Sequence, residues 1–575
     1  MRQGVMPAKS RRSFLDSAPR YRAIIVVTIL VAPILGAIWL HRWFVTQDGS
    51  IYLYNAHIIL ESLKSNSPFQ DYYSVQRAPL PYWGAYVLLG ALMSIFSERI
   101  ADHVMASIAS VGFLASILWL RHRVAGWQRV TLITPFAILV SINLLWLLGL
   151  YNFLLGACCY VAALGFWWSG RDNFGPGRAM LMSVLLVAGY LCHPVTSVLT
   201  AGALIILCLV TPGAGWRRAG WTLVSLLPAI VLTVFYGSLI PGGGETSVRW
   251  TGLADPLSIR QWLIYLRAAD ITPIAHAGPT LFFSRTISGW SHLPAVSTWA
   301  VLGLILLSIS GFLNRRTAEA GDSRERRGFW FAAVLLGICG LFGPTDFGQD
   351  SGGFLRQRLL VIALATAVPV LAARRRPVPL DRPKRAGPAN LLAKLGFGAL
   401  LAGCVIQLAT LWGYADASDQ MATEFMQAKP YAGTGQRVAV LIIEPESDYE
   451  PKPLLHVSNL FGIGTGNVIW NNYAPALYYF PVQFRNASDR TLFYARGIPD
   501  FEQQEISQQD LEDWEDLLSE IEGRIDRLVV WGRSPQLDEI NSEWFDDAPV
   551  FESEHVRVFM HTRPEAGDHG GAEQP

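Results

Sequence analysis

Residues 46–81 read TQDGSIYLYNAHIILESLKSNSPFQDYYSVQRAPLP, directly after the first apolar stretch, residues 23–40. A lone carboxylate, Asp48, stands where the chain leaves that stretch. It is followed by YLYNAHIILESL (52–63), whose apolar residues recur at helical spacing and predict a helix lying along a membrane surface. Asp48 precedes Gly49 and Ser50, so it has two readings: an N-cap for that helix, or a free acid facing solvent-side chemistry. A second polar cluster, Asp71, Tyr72, Tyr73 and Arg77, closes the stretch before apolar sequence resumes at Pro79. Asp71 and Arg77 read equally as a surface ion pair, and Arg77 as an interfacial anchor.

The rest of the chain says what this stretch is embedded in. Of 575 residues, 51% are hydrophobic and 16% charged, and the mean hydropathy is +0.30. That composition points to a multi-pass membrane protein. The net charge of +1 is spread along the chain and gives no basic patch for nucleic acid. Cys158, Cys159, Cys192, Cys208, Cys339 and Cys404 all fall in apolar runs, with no disulfide framework and no zinc spacing. Residues 23–40 are long for a signal-peptide core and lack a small-residue cleavage site, so they read as a retained first helix.

A helix needs about 20 apolar residues to cross a bilayer. The candidates are 23–40, 100–120, 130–148, 153–169, 179–192, 194–211, 219–237, 294–313, 328–343, 355–373 and 391–412. Basic residues favour cytoplasmic loops. With these eleven spans, the N-terminal Lys9, Arg11, Arg12, Arg20 and Arg22 and the basic clusters at 121–129, 169–178, 216–218, 314–327 and 374–385 all fall inside. Counting 79–96 (PLPYWGAYVLLGALMSIF) as a further crossing would invert every later loop. It therefore reads as a membrane-entering or interfacial helix begun by Pro79 and Pro81.

This topology gathers the remaining polar features on the outer face: Asp48, Asp71 and Arg77, Tyr151-Asn152, His193-Pro194, the loop 238–293 and FGPTDFGQDSGGFLRQR (342–358). No span carries a charge near its middle, which disfavours a solute path through the bilayer. Asn152 and His193 sit at outer turns, where satisfying a helix end and lining a polar pocket are both open. Loop 238–293 holds an amphipathic segment, 255–270, suited to the headgroup layer. Arg356 and Arg358 stand at the outer mouth of a span, where guanidinium groups suit a phosphate. Asp346 and Asp350 beside them read as metal ligands or as partners of those arginines.

After residue 412 the sequence becomes polar and mixed. Segments 436–444 and 526–532 predict buried strands, 510–525 an amphipathic helix, and 551–563 a last strand or hairpin. This describes a small α/β domain without a nucleotide-binding glycine fingerprint. Its aromatic run VIWNNYAPALYYFPVQF (468–484) reads more readily as domain core than as a sugar-stacking surface. The expected organisation is a basic N-terminus (1–22), a membrane domain (23–412) with outer loops 41–99 and 238–293, an extracytoplasmic domain (413–563) and a tail (564–575).

Asp48 in the first outer loop, Tyr52 shortly after it, PFQDYYSVQRAPLPYW and the glycine-rich run leading to Arg358 together resemble the GT-C superfamily of membrane glycosyltransferases. The similarity is to its polyprenyl-phosphate-sugar enzymes, the protein O-mannosyltransferase and lipid A aminoarabinose transferase type. It covers roughly 23–400 as architecture, and Asp48 with 71–81 as motif. Asp48-Gly49 replaces the paired acids of the mannosyltransferases. The resemblance implies a bacterial inner-membrane enzyme, N-terminus inside, that moves a sugar from a polyprenyl-phosphate donor to a glycan, lipid or protein acceptor outside. In it Asp48 would be the general base, and Arg356, Arg358 or Arg77 would hold the donor phosphate. Asp71, Tyr72, Asn152 and His193 would line the sugar or acceptor pocket. A divalent cation, Mg or Mn, would rest on Asp48, Asp346 and Asp350. Handling of preassembled lipid-linked glycans by a polymerase, ligase or flippase, and a non-catalytic scaffold, are the competing classes.

Overall fold

The computed structural model describes residues 10–127, 130–211, 215–239, 296–313, 326–344, 353–371, 388–443, 451–489, 498–501, 506–521 and 523–562. It shows a polytopic helical membrane domain joined to a small α/β domain. The segment 255–270 and residues Asp346 and Asp350 lie outside the described residues.

Each of the eleven expected spans coincides with a helix, but their lengths divide them. Five helices among the described residues are long and apolar enough to cross a membrane: Tyr21–Trp39, Glu98–Ala125, Tyr151–Asn173, Trp216–Ser238 and Pro388–Ala428. Several of the others are broken by polar residues or prolines. Expected span 130–148 breaks after Ser141, where the Asn143 side chain accepts from the Trp146 N–H and begins a new turn. His193 adopts an extended backbone between Pro176–Cys192 and Pro194–Val210, as a residue before proline prefers. Expected span 355–373 is helical over Leu355–Ala367. The segment 79–96 contributes Trp83–Met93, 11 residues, or about 16 Å, half a bilayer core. It packs beside Gly49–Glu61, with Leu60 against Gly90.

Val296–Leu313 and Pro388–Phe425 approach closely because two glycines face each other. A Cβ on Gly303 would lie 2.8 Å from the Gly396 carbonyl oxygen, the small-residue packing that apolar surroundings favour. Pro388–Phe425 spans 38 residues without a break, so the membrane domain passes into the C-terminal domain through a helix. At its end Phe425 stacks on Phe461 at 5.0 Å.

The C-terminal domain is built on β2 (Arg437–Ile443), whose run of six buried residues suits a central strand. The ordered sheet neighbours are β3 (Val468–Ile469), β2, β6 (Arg527–Trp531), β8 (Val556–Met560) and β7 (Phe551–Glu552). Strands β2 and β6 pair in parallel, Val440 opposite Val529, and β8 closes antiparallel, Val558 opposite Val529. β5 (Asp500–Phe501) also pairs with β2. Helix Gln508–Glu520 starts with a Ser507–Asp510 capping box and buries Leu511, Trp514, Leu517 and Leu518. β2, β6, the β7–β8 pair and this helix are the elements the sequence predicts there, whereas β3 and β5 are not among them.

One pairing links the two parts. β1 (Tyr73–Val75), inside the first loop, pairs antiparallel with β4 (Val482–Phe484), Tyr73 opposite Phe484. The aromatic run 468–484 is therefore divided. Trp470, Phe480 and Phe484 are buried, whereas Tyr473, Tyr478 and Tyr479 remain half-buried.

Candidate functional site

Asp48 sits one residue before helix Gly49–Glu61, yet its side chain makes no capping bond. The capping reading fails because the carboxylate has other partners. Tyr473 Oη donates to Asp48 Oδ2 at 3.1 Å, and His456 Nε2 lies 3.6 Å from Oδ1. Asp48 is buried, 8% exposed. Burial pushes its carboxyl up to about 7, against the lowering effects of the Tyr473 hydrogen bond and the Arg358 charge.

The backbone beneath Asp48 is held from the other side. Gln47 and Asp48 donate their N–H groups to the Leu147 and Leu148 carbonyls at 2.9 and 3.1 Å. That approach needs Gly149, which has φ +72; a Cβ there would lie 2.8 Å from the Gly49 nitrogen. Tyr151 Oη bonds the Thr46 hydroxyl at 2.9 Å and donates to Asp102 Oδ1 at 3.3 Å.

Arg358 and His193 form the second half of the site. Arg358 Nη1 donates to His193 Nε2 at 3.1 Å, so Nε2 carries no proton and Nδ1 does. His193 Nδ1 and Arg358 Nε are buried without a hydrogen-bond partner, an arrangement that usually signals a missing acceptor. The guanidinium also lies 5.6 Å from the Phe153 ring. Arg358 and Asp48 make no direct ion pair, yet the Arg358 charge reaches the carboxylate. The cation thus acts on the acid without pairing with it.

Tyr82 joins the halves. Its ring lies 5.3 Å from His193, 5.1 Å from Tyr479 and 5.3 Å from Phe480. Its backbone is left-handed, φ 74, and the other described non-glycine residue with positive φ is Phe354, φ 57. Each stands immediately before a helix serving the site, where backbone strain tends to collect. Asn152 supports the Tyr82 turn, accepting from the Ala85 N–H at 2.8 Å and donating to the Tyr82 carbonyl at 2.9 Å.

Of the residues singled out from sequence, the structure gathers Asp48, Asn152, His193 and Arg358. Arg356 points elsewhere: its Nε donates to the Gly340 carbonyl at 3.3 Å, as expected for helix positions two apart, which do not share a face. Asp71 and Arg77 are exposed. Tyr72 packs edge-on against Trp470 at 6.3 Å. His456, Tyr473 and Tyr82 were missed. Tyr473 lay inside the quoted aromatic run, but a lone histidine in a polar loop carries no signal. Among the described residues no three His, Cys, Asp or Glu side chains form a metal-binding group, and the partners of Asp48 are an imidazole and a phenol.

No family model matches the chain, and comparison with curated proteins finds no match. Among solved structures the chain is similar to ArnT from Cupriavidus metallidurans bound to undecaprenyl phosphate, with 14% identity and a TM-score of 0.41 over 96% of this chain and 98% of that one. It is also similar to arabinofuranosyltransferase AftD from Mycobacteria, with 13% identity and a TM-score of 0.44 over 95% of this chain and 40% of that one.

Proposed function

We propose that the protein is a GT-C-type glycosyltransferase of the bacterial inner membrane. It moves a sugar from a polyprenyl-phosphate donor to a hydroxyl acceptor at the outer face. One observation supports this reading: the Asp48 carboxyl is buried, bonded to Tyr473 and raised by burial to about 7, while the charge of Arg358, far off in sequence, acts on it without an ion pair. As the acceptor oxygen attacks the anomeric carbon, Asp48 takes its proton; a base titrating near 7 is suited to that task. The bond from the anomeric carbon to the phosphate oxygen breaks, and its electron pair leaves with the lipid phosphate. Arg358, oriented by His193, meets that growing charge, and its Nε–H and the His193 Nδ1–H offer donors that lack an acceptor. The polyprenyl tail stays in lipid. Asn152 acts through Tyr82, shaping the pocket wall. Asp71, Tyr72 and Arg77 belong to the rim of the first loop.

A divalent cation shared by Asp48 with Asp346 or Asp350 would supply charge to the same phosphate. The deciding experiment is transfer from radiolabelled polyprenyl-phosphate sugars to membrane acceptors by the purified protein and by Asp48→Asn. Loss of transfer with intact folding supports the reading, and near-normal turnover ends it. Reporter fusions after Arg123 and Arg385 test the orientation, both being expected inside.

A further inference from the structure

The C-terminal domain is fastened to the Asp48 segment by more than the β1–β4 ladder. Lys452 donates its N–H to Gln47 Oε1 at 3.1 Å, and the Ser50 hydroxyl donates to the His456 carbonyl. Tyr54 Oη donates to the Asn467 carbonyl at 2.7 Å. Asn55 and Asn472 exchange reciprocal amide bonds at 3.2 and 2.9 Å, both fully buried. These contacts bracket Asp48 in sequence, and on the other side they flank His456 and Tyr473. Buried reciprocal amides fix register, since a slip leaves both unsatisfied. The register they fix is the one that brings Tyr473 Oη to one oxygen of Asp48 and His456 to the other.

We propose that the C-terminal domain is a working part of the site, with Tyr473 and His456 as positioning residues that hold the Asp48 carboxylate in its reactive orientation. For the reaction they assist, this inference rests on the transferase reading; for the orientation of Asp48, it rests on geometry alone. An ionised or neutral carboxyl in a half-dry site would otherwise rotate about its χ angles. The Tyr473 hydrogen bond to one oxygen and the His456 ring nitrogen 3.6 Å from the other restrict that rotation, and a misplacement of about 1 Å can cost roughly 100-fold in rate. The Tyr473 ring lies 5.3 Å from His456 and 6.4 Å from Phe480, so Tyr473→Phe removes the hydroxyl while keeping this packing.

The test uses the full-length protein in lipid nanodiscs. Infrared difference spectra against Asp48→Asn, at one fixed pH, isolate the Asp48 carboxyl bands. These bands are expected to shift in Tyr473→Phe and in His456→Ala, and to return towards wild type in His456→Gln, whose amide can reach the same oxygen. Transfer by Tyr473→Phe should fall roughly 10- to 100-fold in kcat, with the donor KM little changed. Unshifted bands in both Tyr473→Phe and His456→Ala overturn the proposal, as does a loss confined to KM. Should the wild type transfer no sugar from any donor, the transferase reading fails while the infrared comparison still decides the positioning role.

Discussion

Arg358 donates to His193 across 3.1 Å, from a helix 165 residues further along the chain. The bond spends one guanidinium donor on orientation and leaves the planar fork to meet an anion. Arg358→Ala is expected to lower kcat roughly 100-fold or more, the scale of losing one transition-state charge contact. Arg358→Lys should recover little, because an ammonium cannot hold a ring nitrogen and grip phosphate in the same plane. Arg356→Ala, which removes a bond to the Gly340 carbonyl, should leave kcat nearly unchanged. Steady-state kinetics with a polyprenyl-phosphate sugar separate the three.

The acidity of Asp48 sets a pH dependence with a definite sign. A carboxyl raised to about 7 is mostly protonated at pH 6, so transfer should rise with pH and level off above about 8. Stability runs the other way. The unfolded carboxyl ionises near 3.8 and the folded one near 7, so folding loses free energy as pH rises between those values, by about 4 kcal/mol at most. Asp48→Asn should therefore melt higher than wild type at pH 8 and nearly equal to it at pH 4. Thermal unfolding in detergent at the two pH values gives the comparison.

How much of this was legible beforehand follows from the distances along the chain that each feature spans. The helices and the strands at 437–443 and 527–531 came from local pattern. So did the break at His193, because proline acts on its immediate neighbour. Tyr473 and His456 could not be found in this way. They reach Asp48 through a three-residue strand pairing and a pair of amides, neither of which leaves a periodicity. Arg356 and Arg358 looked alike in sequence, and the 100° advance per residue of a helix separated them.

Gly149→Ala should cripple transfer without abolishing expression. Its left-handed backbone costs an alanine about 1–2 kcal/mol, and the new Cβ would press on the nitrogens of Gly49 and Asp48 at 2.8 and 3.0 Å. The acid would be displaced as a unit with its backbone. A fall in kcat at near-normal yield from membranes is the expected result; wild-type kcat would show that the segment yields without moving Asp48.

Asn152→Leu tests the Tyr82 turn. It strips the partners from the Ala85 N–H and the Tyr82 carbonyl, each worth about 1–3 kcal/mol when left buried and unpaired. Lower thermal stability together with weaker donor binding is expected, whereas Asp71→Asn on the exposed rim should change neither.

Chelation distinguishes the two ways of balancing the departing phosphate. With Arg358 as the cation, EDTA should leave transfer intact. A loss restored by Mg or Mn would instead show a working metal, for which Asp48, Asp346 and Asp350 are the candidate ligands.

The unbroken helix Pro388–Phe425 has a mechanical consequence. Tyr414 Oη holds the Val45 carbonyl at 2.7 Å, and Asp419 accepts from the Trp43 N–H at 2.6 Å, so the strand of chain feeding Asp48 is riveted to this strut. Its far end carries Phe425 into the C-terminal domain. Adding or removing a single residue between Asp419 and Phe425 would turn the domain by about 100° and shift it about 1.5 Å relative to those rivets. The strut therefore works as a gauge whose length is set by the two anchorages it must satisfy at once.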